Sequence, residues 1–392
     1  MRAPHERLSR APVAALLLAL GAAPACAPVE QLDARNASDR TDLGWPVLSL
    51  RWSVELADRS EVSKPQEFSS PLALAASDPD HDRLFVGSHE GMFYGLEARS
   101  GEVLWKRKLG STSSRPVLAP DSSLMYIGTD DGHVIALDPK DGREKWRYAT
   151  RGPVLESPVL SGDLLIMSNE ADQVYALDRV SGKFRWQYKS ETPEEFTLRG
   201  HAGVTIDGDL VFTGFSNGTL VALRVATGSV AWLTSLKSDA ERFVDVDATP
   251  AAVGENVFAA SSAGGVYAVD RTTGLIRWRL PLLGAGALST DGERLYAAAA
   301  DEGVYAIDLA GNIVWRQGTR GGGEPVGPVV SGDYLLYALS EAGLYVADKR
   351  TGRVHQYFDP GYGVSAQPTL SRDRMYVVSN SAVLYAMTVR RF

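Results

Sequence analysis

Past residue 48 the chain alternates short apolar runs with clusters of Gly, Asp, Pro and Ser. The runs are apolar at successive positions, as in Val174-Tyr175-Ala176-Leu177, so a sheet built from them is covered on both faces. They come in fours. The first strand of a unit follows an opening such as Ser69-Ser70-Pro71, Ser114-Arg115-Pro116 or Ala248-Thr249-Pro250. The second is a phrase such as 84–87 or 124–128, and a tight turn ending in Gly91, Gly132 or Gly218 leads to the third. The fourth carries a Trp. Four short strands per unit, joined by Gly turns and repeated about every 40 residues, make a propeller blade.

Third strand, turn and fourth strand form a fixed phrase of Asp, Gly and Trp. It reads Asp138, Gly142, Trp146, then Asp178, Gly182, Trp186, then Asp270, Gly274, Trp278 and Asp308, Gly311, Trp315. Variants place Trp105 after Gly101 and Trp232 after Gly228. The Asp is expected to bond the turn backbone and the Gly to take the positive φ that the turn requires. The Trp is expected to fill the wedge between neighbouring blades, burying on the order of 200 Å2. At the last such boundary Gln356 follows Gly352 where Trp is expected, so that wedge must be filled differently.

Second-strand phrases at 84–87, 124–128, 164–168, 210–214, 257–261, 295–299, 335–339 and 375–379 count eight blades. The last unit ends at Tyr385-Ala386-Met387 without a fourth strand, while Leu50-Arg51-Trp52-Ser53-Val54 precedes the first. The pattern predicts an all-β, eight-bladed propeller of four-stranded antiparallel blades over 45–392. The N-terminal strand is expected to pair into the last blade and close the ring, which removes open sheet edges.

A formal charge of −8 and a pI of about 5.4, with no basic stripe, argue against a nucleic-acid partner. The N-terminus reads differently from the rest. Arg2, Arg7 and Arg10 precede an apolar run from Ala11 to about Ala23, too short to span a bilayer comfortably. With Cys26 behind it, the segment resembles a bacterial lipoprotein signal: 1–25 would be removed and Cys26 lipidated. Ala23-Pro24-Ala25 also fits an ordinary cleavage after Ala25, with Cys26 incidental. Its position at the expected boundary, as the sole cysteine in the chain, favours lipidation. Residues 26–44 are polar and aperiodic and read as a flexible tether.

Catalytic and metal motifs mostly fail on context. Gly214-Phe215-Ser216-Asn217-Gly218 matches a nucleophile elbow, but the repeat register puts it on a strand-to-strand hairpin rather than a strand-to-helix turn. Asp78-Pro79-Asp80-His81-Asp82 starts like a calcium loop, yet Arg83 and His89 stand where Gly and Glu are required. The six histidines show no metal-ligand spacing. Uneven loop length is more informative. Most connections from Trp to the next opening Pro take 11 to 13 residues, whereas Trp52 to Pro71 takes 19 and Trp232 to Pro250 takes 18. Trp186 to Gly203, which is read as the equivalent of the Pro, takes 17. All three belong on one face of the disc, and 187–202 and 233–249 are adjacent there. Extra loop on a rigid scaffold is where binding usually resides.

The phrase Tyr-Ala-Leu-Asp-x-x-Thr-Gly-x-x-x-Trp resembles the PQQ-type propeller repeat, shared by quinoprotein dehydrogenases and by BamB lipoproteins of outer-membrane β-barrel assembly. The mature chain is similar to the BamB family throughout. The most specific matches lie in the two adjacent long loops. Phe196-Thr197-Leu198-Arg199-Gly200 is similar to the family's Leu-Ser-Leu-Arg-Gly, and 242–250 to its Arg-Leu-Ser-Asp-Val-Asp-Thr-Thr-Pro. The resemblance implies a non-catalytic scaffold without cofactor, lipid-anchored at the periplasmic face of the outer membrane. It implies that Phe196, Leu198, Arg199, Asp245 and Asp247 contact a periplasmic POTRA domain of the barrel protein BamA, and it extends to steadying nascent barrel strands. Asp245 and Asp247 could instead order their own loop before Pro250. Two alternatives stay open: a PQQ-dependent dehydrogenase-like propeller, disfavoured because the adjacent cysteine pair of that class is missing, and an envelope propeller with another protein partner.

Overall fold

The computed structural model describes residues 46–57, 66–191, 202–237, 245–261, 263–300, 302–318 and 323–390. These residues form eight four-stranded antiparallel sheets. Seven sheets take four consecutive strands each: blade 1 spans 72–108, blade 2 117–149, blade 3 159–189, blade 4 205–235, blade 5 251–280, blade 6 285–317 and blade 7 325–358. Blade 8 combines Thr369–Ser371, Arg374–Val378 and Val383–Val389 with the N-terminal strand Leu48–Glu55. That strand lies outermost, with Leu48 opposite Val389 and Glu55 opposite Val383. The predicted closure is therefore present.

First strands touch one another from blade 3 to blade 7, and again between blades 8 and 1, so they surround the axis and the fourth strands form the rim. Fourth-to-first connections share one face with the second-to-third hairpins: Leu109 N–H bonds Gly91 O, and Leu236 N–H bonds Gly218 O. This is the loop face. The first-to-second and third-to-fourth turns share the opposite, turn face, where Arg179 N–H bonds Asp163 O and Arg271 N–H bonds Glu255 O.

Burial follows the apolar pattern. Second and third strands are buried along nearly their whole length, whereas fourth strands bury mainly the Trp and half-bury the residue two places after it. The core is not one mass but eight apolar clusters, each straddling one pair of neighbouring blades. The cluster between blades 1 and 2, for example, joins Phe85, Phe93 and Trp105 to Met125, Ile127 and Leu137.

The Trp of each blade is a reader of the next blade's turn. Six indoles donate to the carbonyl of the residue after the strand-ending Asp or its equivalent: Trp105 to Pro139, Trp146 to Arg179, Trp186 to Val225, Trp232 to Arg271, Trp278 to Leu309 and Trp315 to Lys349, at 2.9–3.2 Å. The same ring faces the turn's Gly. At Gly182 φ is +70°, and a Cβ there would lie 2.6 Å from the Trp146 indole. The Gly thus meets two demands at once, left-handed backbone and close approach of a ring. Asp does the turn work expected of it, Asp178 accepting from Val180 N, Ser181 N and Ser181 Oγ.

The junction of blades 8 and 1 uses other means. Trp52 packs on Gly101 as its counterparts do. The carbonyl it would bond, Ala98 O, is already taken by Tyr376 Oη at 3.1 Å and an Arg374 nitrogen at 3.0 Å. Trp52 Nε1 is buried and has no partner among the described residues. Arg372 also crosses this junction, donating to the Asp82 carboxylate and to Ala76 O.

Candidate partner-binding face

Strand pairing sets Val204, one residue later than Gly203, at the position of the opening prolines: Thr205 pairs with Phe212 as Ala251 pairs with Phe258. The connection from blade 3 to blade 4 is thus as long as that from blade 4 to blade 5, and the two flank blade 4 on the loop face.

Between them sits the hairpin 214–218, which holds both. Asn217 Nδ2 donates to Ser190 Oγ at 3.0 Å and to Glu191 O at 3.1 Å, gripping the start of the first connection. Phe215 O accepts from Val246 N–H at 3.3 Å, anchoring the end of the second. Val246 is buried and lies so close that a Cβ on Gly214 would sit 2.3 Å from it. Ser216 is also buried. Its N–H and hydroxyl both donate to the Asp172 carboxylate of blade 3. The Gly-x-Ser-x-Gly segment is therefore a strand-to-strand hairpin with its Ser committed to a neighbouring blade, as the repeat register predicts. The part played by this hairpin in holding both loops was not read from sequence. Its signal was Asn217, a side chain long enough to reach a neighbouring loop.

Of the five residues implicated by resemblance, Phe196, Leu198 and Arg199 lie outside the described residues, as does Cys26. Asp245 is buried and Asp247 half-buried, on either side of Val246. The segment is held down by Val246 and runs on to Thr249, whose hydroxyl accepts from Gly203 N–H at 3.0 Å. The ends of both long connections are thus tied to each other and to blade 4.

Diametrically across the loop face lies the third long connection. Phe68 there is exposed, as is Tyr362 in the neighbouring connection of blades 7 and 8. Next to Phe68, Glu67 is buried and accepts His89 N–H at 2.8 Å. Burial pushes its carboxyl up to about 7, with Glu90 and Asp130 adding to the rise and the His89 bond opposing it. The segment 78–82 is a short 310 turn whose Asp78 carboxylate bonds its own Asp80 N–H and His81 ring. Among the described residues no group of His, Cys, Asp and Glu is arranged to hold a metal ion.

A family model described as "Outer membrane protein assembly factor BamB" matches residues 89–317 and 300–391. The chain belongs to this family. The BamB of Burkholderia pseudomallei (strain K96243) is 28% identical over 348 residues, spanning 84% of this chain and 87% of that protein. The BamB of Aliivibrio fischeri (strain ATCC 700601 / ES114) is 35% identical over 328 residues, spanning 79% and 83%. The crystal structure of BamB from Moraxella catarrhalis shares the fold with a TM-score of 0.73 at 22% identity, covering 87% of this chain and 99% of that one. A quinohemoprotein alcohol dehydrogenase from Comamonas testosteroni also shares it, with a TM-score of 0.68 at 15% identity, covering 89% and 78%. The likeness to these two structures is one of fold. The BamB match contains both long connections, and with them the stretches 196–200 and 242–250.

Proposed function

We propose that this protein is a non-catalytic scaffold of outer-membrane protein assembly, docking by its loop face on a periplasmic POTRA domain of a BamA-like barrel protein. The observation that carries the reading is the family match combined with the layout around blade 4. Two long connections bearing BamB-like stretches are fastened side by side to one rigid hairpin. Phe196 and Leu198 supply apolar anchors, Arg199 a bidentate donor and Asp247 an acceptor at the edge. Such a combination of anchors and charge concentrates binding energy in a few residues. Asp245, buried beside Val246, orders the loop that presents the others.

Anchoring through a lipid on Cys26 suits this geometry. The closing strand starts at Leu48 opposite Val389, whose N–H bonds Asp373 O on the turn face. A tether preceding it reaches the disc on the side away from the long connections and leaves the loop face open to a partner.

Titration calorimetry of the purified protein with BamA periplasmic domains is the test. Binding is expected to weaken tenfold or more, about 1.4 kcal/mol, in Arg199→Glu and in Leu198→Asp. Val180→Ser, an exposed change on the turn face, leaves it unchanged. No binding, or binding indifferent to Arg199→Glu, overturns the reading. Cys26→Ser is expected to move the protein from the membrane to the soluble fraction.

A further inference from the structure

The residues that open the first strands form a layer around the axis: Ser70, Arg115, Ser157, Gly203, Thr249, Ala287, Gly327 and Gln367. Most are small, which leaves room at the centre. Arg115 of blade 2 reaches across to blade 8, where one guanidinium nitrogen donates to Gln367 Oε1 at 2.7 Å. Gln367 is itself fixed, its Nε2 donating to Gly327 O at 3.2 Å and its N–H to Ser70 Oγ at 2.9 Å. Glu156, just before Ser157, extends past Gly203 toward Thr249. A Cβ on Gly203 would lie 2.6 Å from Thr249 Oγ1 and 3.2 Å from Glu156 Oε2, so the missing side chain lets the two meet.

The Arg115 charge is largely enclosed by protein, yet among the described residues its one hydrogen bond goes to a neutral amide and no carboxylate lies within 4.0 Å. Enclosed charges are ordinarily paired, because an uncompensated one carries a large desolvation cost. A guanidinium has five N–H donors in a rigid fork suited to carboxylate and phosphate oxygens. Its placement is set by a relay from blade 7 through Gln367, not by an anion of its own.

We propose that the axial channel is a binding site for a small oxyanion, carboxylate or phosphate, seated on the free N–H edges of Arg115. The site rests on the fold and is independent of the partner docking above. Glu156 tunes it. The groups acting on Glu156 are Glu170 of its own blade, Arg115 from blade 2 and Thr249 from blade 5. Water reaches Glu156 in the channel, but protein surrounds it, and burial pushes its carboxyl up to about 7. Ionised, it offsets the Arg115 charge at a distance and repels a second anion. Protonated, it leaves Arg115 free to take one, so affinity rises as pH falls through 7.

The test titrates the purified full-length protein with inorganic phosphate and with citrate, at pH 6 and pH 8 and low ionic strength, by calorimetry. Phosphate alone as the ligand points to a phosphate site, citrate alone to a carboxylate site, and either supports the proposal. Saturable one-to-one binding is expected, at least threefold tighter at pH 6 than at pH 8. Arg115→Gln weakens it tenfold or more. Glu156→Gln tightens it at pH 8 and abolishes the pH dependence, a readout that does not rely on the Arg115 variant folding. No saturable binding by either anion, or affinity untouched by Glu156→Gln, overturns the proposal.

Discussion

Gln356 and Leu48, 308 residues apart in sequence, exchange two hydrogen bonds: Leu48 N–H donates to Gln356 Oε1 at 2.8 Å, and Gln356 Nε2 donates to Leu48 O at 3.1 Å. Gln356 pairs with Val346 as Trp315 pairs with Ala306, so it occupies the position of the boundary tryptophan. A Trp there would have nothing to read. Blade 8 takes its outer strand from the N-terminus and so has no third-to-fourth turn, neither carbonyl nor Gly. The start of the closing strand offers the outward peptide N–H and C=O of Leu48 instead, and a primary amide matches this donor and acceptor in register.

Gln356→Glu is therefore expected to be more damaging than its size suggests. It keeps an acceptor for Leu48 N–H but sets a carboxylate oxygen against Leu48 O in a buried site, at a cost of roughly 2–4 kcal/mol. Gln356→Ala loses both bonds and falls in the same range. Denaturant midpoints are the measurement; a change under about 0.5 kcal/mol in both variants would show that the junction does not depend on the amide.

The indoles are predicted to be unequal. Trp186→Phe removes the donor to Val225 O and costs about 1 kcal/mol or more. Trp52→Phe removes a buried N–H that has no acceptor among the described residues, and is expected to be neutral or stabilising. Thermal melts of the two variants check the ranking, which reverses if Ala98 O is not saturated as described.

Two glycines separate backbone strain from ring contact. Both Gly162 and Gly182 have positive φ, +55° and +70°, but a Cβ on Gly162 meets nothing within 4 Å. Gly162→Ala should cost about 1–2 kcal/mol from the backbone alone. Gly182→Ala should cost a further 1–3 kcal/mol as the Trp146 ring is displaced. Equal losses in a pairwise unfolding comparison would mean that the ring yields freely.

Stability is expected to fall as pH rises from 5 to 8. Glu67 has a folded-state value of about 7, above the ordinary 4.5. The native state therefore binds the extra proton between those values, so the stability that the neutral carboxyl contributes is complete below 4.5 and is lost as pH rises through 7. Glu67→Gln keeps an acceptor for His89 N–H and cannot ionise. It should be more stable than the parent at pH 8 by on the order of 2 kcal/mol, with the gap closing toward pH 5. Glu156 adds a slope of the same sign, so part of the pH dependence persists.

The blade count, the closing strand and the wedge role of Trp were legible because each recurs at a fixed short spacing. A Trp and the turn it reads are about 35 residues apart, and the period exposes both. The Gln356 exception was visible, but not its meaning, because its partner stands at the other end of the chain. The axial layer was invisible for a related reason. Arg115, Glu156, Thr249 and Gln367 each look like an ordinary strand-opening residue, and only the ring brings four blades to one point. Near blade 4 the loop lengths singled out the two connections that the hairpin 214–218 holds, while the burial of Asp245 could not be read from a polar residue in a polar loop.

Closure by the first strand also fixes an order of events. Leu48–Glu55 leaves the ribosome before any blade exists, and its partner Val383–Val389 comes last. Joining them closes a chain of more than 300 residues, a loop entropy of about 5 kcal/mol before any contact compensates. Until then the strand is a bare edge carrying Leu48, Leu50, Trp52 and Val54, the kind of segment that pairs with the wrong neighbour. Seven blades can assemble by local contacts as they emerge. The slow, aggregation-exposed step is the final pairing of the two ends.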